Sequence, residues 1–93
     1  MRNGLICSAI RSKQLVWITY DFTRRLVEPH AYGVSKDYKE LLRAWQVEPL
    51  PQAWKLFLLE RASDISAADS HFAGPRPDYK GADPELASVY EEL

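Results

Sequence analysis

Leu15–His30 reads LVWITYDFTRRLVEPH, and the pattern of this stretch sets the architecture of the chain. Five of the six residues Leu15–Tyr20 are β-branched or aromatic, the side chains that fit a pleated, half-buried surface. Asp21-Phe22-Thr23 is short enough for a hairpin loop, and Arg24–Glu28 returns as a second strand ending at Pro29. Val16, Ile18 and Tyr20 alternate with Leu15, Trp17 and Thr19. Both faces are partly apolar, which makes this strand central or curls it inside a barrel. On the return strand Leu26, Glu28 and His30 share one side, with Arg25 and Val27 opposite. Pro29 has no N–H and must end the ladder or sit at a bulge.

Outward from the hairpin, Asn3 can cap a helix over Gly4–Lys13, in which Leu5, Ile6, Ala9 and Ile10 fall at helical spacing. So short a helix needs an apolar surface to lie on, and the hairpin supplies one. Ala31–Val34 reads as a bent third segment, and Ser35-Lys36-Asp37 as a turn. Glu40–Val47 fits either a helical stripe or an alternating strand, and the turn before it favours the strand. Pro49 and Pro51 make a loop, Trp54–Leu59 reads as a strand buried on both faces, and Asp64-Ile65-Ser66 as a last short one. Beyond Ala67, Asp69–Phe72 and Gly74–Pro77 suit neither helix nor sheet. Pro84–Leu93, with Leu86, Val89, Tyr90 and Leu93 at helical spacing, predicts a closing helix. The expected fold is mainly β: a small SH3/Sm-like barrel of four to five strongly bent strands, with a short N-terminal helix and an extended C-terminal tail ending in a short helix. Residues 1–66 form the barrel unit, and 67–93 an extension that packs on it or on a partner.

With 93 residues, 46% hydrophobic and 27% charged, the composition is that of one folded domain rather than a disordered chain. No apolar run approaches the roughly 20 residues of a membrane span, and the expected location is the cytoplasm of a microbial cell. Cys7 has no second cysteine to pair with and reads as a small core residue. Residues 1–61 carry ten Lys/Arg against six Asp/Glu, and residues 62–93 two against seven, so a basic body precedes an acidic tail. No nucleophile motif or metal-ligand spacing is present, so neither an enzyme nor a cofactor is expected.

Several of these segments together resemble the WYL domain. They are Ala9-Ile10, Val16–Tyr20, Arg25–His30, Leu42–Trp45 and Trp54–Arg61. The family pattern is a helix ending in Ala-Ile, a strand ending in Tyr, an Arg-x-Val-Glu-Pro segment, a Trp-Tyr-Leu strand and a Phe-x-Leu-Asp-Arg-Ile segment. The likeness spans about residues 6–65, and Phe72–Tyr79 is similar to the tails of small stand-alone bacterial members. Glu40-Leu41-Leu42 stands where the name-giving tripeptide falls, and Ala62 replaces the usual Ile. The resemblance implies an Sm-like SH3 barrel that senses a ligand, a nucleic acid or nucleotide, through basic and polar residues. Most WYL domains follow a helix-turn-helix. The 14 residues ahead of the first strand leave no room for one, so a stand-alone sensor or partner-binding module is expected.

Arg25, His30, Arg43 and Arg61 are the candidate ligand-binding residues. Each matches a polar family position and interrupts an apolar strand, where a guanidinium needs a carboxylate, carbonyls or an anionic ligand. Tyr20, Tyr32 and Trp45 are the candidate stacking rings. The competing reading is internal pairing, of Arg25 with Glu28 or Glu40 and of Arg61 with Glu48 or Asp64. Trp17, Trp45 and Trp54 otherwise read as core. The alternative function is a protein-interaction module in which a sheet edge or Phe72–Leu93 docks on a second copy.

Overall fold

The computed structural model describes residues 2–93. Helix α1 (Gly4–Ser12) is followed by strands β1 (Gln14–Tyr20), β2 (Thr23–Val34), β3 (Glu40–Glu48) and β4 (Ala53–Leu58). A helical turn over Leu59–Arg61 leads to β5 (Ala62–His71), and β6 (Ser88–Glu92) comes last. All six strands join one antiparallel sheet in the order β4-β3-β2-β1-β5, with β6 on β2. Among the described residues no helix is long and apolar enough to cross a membrane.

Local chemistry accounts for the elements. Asn3 caps α1 by accepting the Ile6 N–H at 3.0 Å, and Lys13 closes it in the left-handed region. Ile6, Cys7, Ala9 and Ile10 face inward against Val16, Ile18, Val27, Tyr32, Leu42 and Phe57. Burial raises the Cys7 thiol above its ordinary pKa, as suits a packing residue. The β1–β2 turn consists of Asp21 and Phe22, both at positive φ, as a two-residue hairpin of this kind requires.

β2 is the spine. One edge pairs with β3, while the other pairs first with β1 (Thr23–Val27) and then with β6 (Ala31–Val34). Pro29 does not end the strand. It sits at a bulge, where Pro29 pairs with Ala44, Ala31 with Arg43, and His30 is the extra residue. The bulge changes the parity of the strand. Val27 faces the inner core before it and Tyr32 after it, while Ala31 joins a second cluster with Leu41 and Leu86 on the outer face.

Three expectations are corrected, and with the first of them the strand count rises from the expected four or five to six. Residues 84–93 form a turn and a strand rather than a helix, because β2 has a free edge where β1 ends. Main-chain bonds from Ala87 N–H to Val34 O (2.8 Å) and Leu93 N–H to His30 O (2.9 Å) fasten the segment there. Asp69–His71 belong to β5, which runs through the expected break at Ala67 because β1 offers partners as far as Gln14. In β4 only Phe57 is buried: Trp54, Leu56 and Leu58 on one face and Ala53 and Lys55 on the other are all partly exposed.

Candidate functional site

The seven candidate residues do not converge. The fold sorts them into a covered face, an open end and one core position.

The covered face is the outer side of β2, β3 and β4. Alternation puts Arg43 and Trp45 there, cross-strand from Leu56 and Trp54, and the bulge adds His30. Residues 72–83 lie across it as a strap. The Arg76 guanidinium sits 4.7 Å from the centre of the Trp45 ring and grips both oxygens of Glu28 at 3.0 Å. Phe72 stacks on the His30 ring, and Trp54 and Tyr79 meet it edge-on. Asp83 holds Arg43 at 2.7 Å, and Asp78 accepts the Trp54 indole N–H at 2.8 Å. Three residues read as binding groups are thus engaged by their own chain. His30 is fully buried, Trp45 lies beneath Arg76, and Arg43 gives Nε and Nη2 to Asp83. Trp17, Trp45 and Trp54 are half-buried on outer surfaces rather than in the core.

Two bonds fix the protonation of His30. Nδ1–H donates to the Glu28 carbonyl at 2.8 Å, and Nε2 accepts the Arg76 N–H at 3.1 Å, an arrangement open only to the neutral ring. Burial lowers its pKa, and the positive charge of Arg76 acts in the same direction, against Glu28 and Asp78. Burial alone would raise the Asp83 carboxyl, but the bonds from Arg43 and the Glu85 N–H outweigh it and hold its pKa below the usual value. Burial pushes Tyr79 up to about 12.

The His30 shift has a definite sign. Above about pH 6.5 the ring is neutral in folded and unfolded chains alike; below it the unfolded chain takes up a proton that the folded chain refuses. Stability is therefore expected to fall with pH from that point, at up to about 1.4 kcal/mol per unit. Denaturation curves at pH 7.5 and 5.5 check this, and His30→Phe should flatten the difference while lowering stability at the higher pH.

Tyr32 is the core position. It is fully buried, gives its hydroxyl proton to Glu40 and accepts the Asn3 N–H at 2.8 Å, so it ties α1 to β2 and cannot stack on a ligand. Its pKa is raised, by burial first and by Glu40 second.

The open end is formed by the β1–β2 hairpin, and it gathers Tyr20, Arg25 and Arg61. The two guanidinium carbons lie 5.6 and 5.4 Å from the Tyr20 ring centre. Among the described residues Arg25 bonds only neutral acceptors, the Gln46 side-chain oxygen at 3.1 Å and the Tyr20 carbonyl at 3.3 Å, and its Nε is buried without a partner there. Arg61 pairs with Asp21 at the surface, not with Glu48 or Asp64, and that bond raises its pKa. Exposed surface pairs of this kind contribute little to stability. On the other side of the hairpin, Arg24 lies 4.1 Å from the Trp17 ring centre. At the tip, Phe22 is 103% exposed with φ of +64°, a conformation that strains a bulky residue. Sequence reasoning passed over Phe22 and Arg24. An aromatic residue in a two-residue turn, where glycine or asparagine is the ordinary choice, was the available signal.

Among the described residues no group of three or more His, Cys, Asp or Glu side chains is placed to hold a metal ion. No family model, no curated protein and no solved structure matches this chain.

Proposed function

We propose that the chain is a non-enzymatic, WYL-like cytoplasmic module that binds a nucleic acid, nucleotide or similar anion at the open end of the β1–β2 hairpin. The sheet is read as an SH3/Sm-like barrel. The order β4-β3-β2-β1-β5, the helical turn between β4 and β5, and a β2 that changes partners midway along one edge support that reading. The observation that carries the function is the charge balance of the hairpin end. Arg25 and Arg61 flank the Tyr20 ring, Arg24 lies over Trp17 on the other side of the hairpin, and Asp21 is the one carboxylate paired with any of the three among the described residues. Basic groups alternating with rings suit a backbone phosphate beside a stacked base.

Fluorescently labelled single-stranded oligonucleotides, with AMP as the mononucleotide, provide the test. Binding should weaken steeply with salt. Arg25→Gln/Arg61→Ala is expected to lower the affinity more than ten-fold and to reduce the log–log salt slope by about 1.4, the value for two phosphate contacts on a single strand. Failure of both ligands to bind at low salt, or a double variant that binds as the parent does, would refute the proposal.

A further inference from the structure

A cleft of about 320 Å³ opens between the strap and the outer face of β3 and β4, away from the hairpin end, and its size is that of a small-molecule site. Trp54 and Tyr79 form its aromatic wall, their ring centres 6.0 Å apart and 32° from parallel. Arg43 lines it with Nε and Nη2 engaged by the buried Asp83 at 2.7 and 3.4 Å, so the guanidinium is held in place while Nη1 makes no bond among the described residues. Lys80 on the rim is exposed and makes no ion pair among those residues. Asp78 spends one oxygen on the Trp54 indole and keeps the other. Between Lys80 and Asp83 the loop bends through Gly81 and Ala82, at φ of +69° and +45°. A Cβ at Gly81 would meet nothing within 4 Å, so it is the turn and not packing that requires glycine there, and the strain at Ala82 is of the kind that accompanies ligand clamps.

The cleft therefore offers unspent donors, an unspent carboxylate oxygen and an aromatic wall of two tilted rings. We propose that it binds a free α-amino acid with an aromatic side chain: carboxylate on Arg43 and Lys80, ammonium on Asp78, ring against Trp54 and Tyr79. A ligand carrying one charge would leave the opposite group of the cleft unanswered.

L-Phenylalanine, 3-phenylpropionate and phenethylamine separate the contributions, titrated into the full chain while the Trp54 indole N–H is followed by NMR. Phenylalanine should shift that signal saturably, and each truncated probe should bind about ten-fold more weakly, the loss of one charge-assisted contact. Asp78→Asn retains an acceptor for the indole and should weaken phenylalanine while leaving phenylpropionate unchanged. No saturation up to about 10 mM, or either truncated probe binding as tightly as phenylalanine, would overturn the assignment.

Discussion

Replacing Arg76 with alanine is expected to lower the unfolding free energy by about 3 kcal/mol. The carboxylate of Glu28 is 10% exposed and has a guanidinium on both oxygens, so removing the cation leaves a charge that water barely reaches. The same substitution uncovers the Trp45 ring and removes the Arg76 side chain from the strap. Breaking one partner of a buried pair costs far more than replacing both. Arg76→Leu/Glu28→Leu should therefore recover most of the loss, whereas Glu28→Ala alone should not, since it strands the arginine over an indole. Urea denaturation of the four proteins at pH 7 decides the matter. A cost for Arg76→Ala below about 1 kcal/mol would place the pair with ordinary surface ion pairs and remove its clamping role.

Gly33→Val is expected to detach β6. β2 and β6 approach closely at Gly33, where a Cβ would fall on the Ser88 carbonyl and 3.0 Å from the Val89 Cα. Both are backbone atoms and cannot rotate away. The strand can yield only by leaving, which gives up the Val34 and His30 carbonyl bonds and the packing of Tyr90 and Leu93 on the core. A cost of at least about 3 kcal/mol is expected, the upper range for inserting bulk where nothing yields. Hydrogen exchange should show Ser88–Glu92 amides unprotected while β1–β3 amides remain slow. Full protection of β6 in Gly33→Ala, the smaller change, would contradict the close approach.

Both predictions rest on long-range contacts, and these mark the limit of what the sequence discloses. The hairpin, the Asn3 cap and the alternation of Leu41–Val47 are local patterns, and each is found where the spacing puts it. The last strand is not a local matter. Leu86, Val89, Tyr90 and Leu93 satisfy a helical period, yet the deciding fact is an unpaired edge on β2, far back in the chain. The same holds for the charges. Arg43 finds Asp83 40 residues away and Glu28 finds Arg76 48 away, separations at which spacing carries no information. One error was avoidable, however. Alternation already sets Arg25 with Val27 and Glu28 with Leu26, on opposite faces, so an Arg25–Glu28 pair would have to pass through the sheet. Of the candidate site, Tyr20, Arg25 and Arg61 come together, whereas His30 and Trp45 are covered, and Arg43 is paired, by a tail whose docking no motif announced.

The extra residue at His30 also sets how this gene can change. Pro29 and Ala31 already face consecutive residues of β3, Ala44 and Arg43, so loss of the His30 codon would close the bulge and leave every downstream residue with its present partner and side. What would go is the ring on which Phe72, Trp54 and Tyr79 pack and which accepts the Arg76 N–H. The sheet could lose this residue and keep its register; the strap could not lose it and keep its seat.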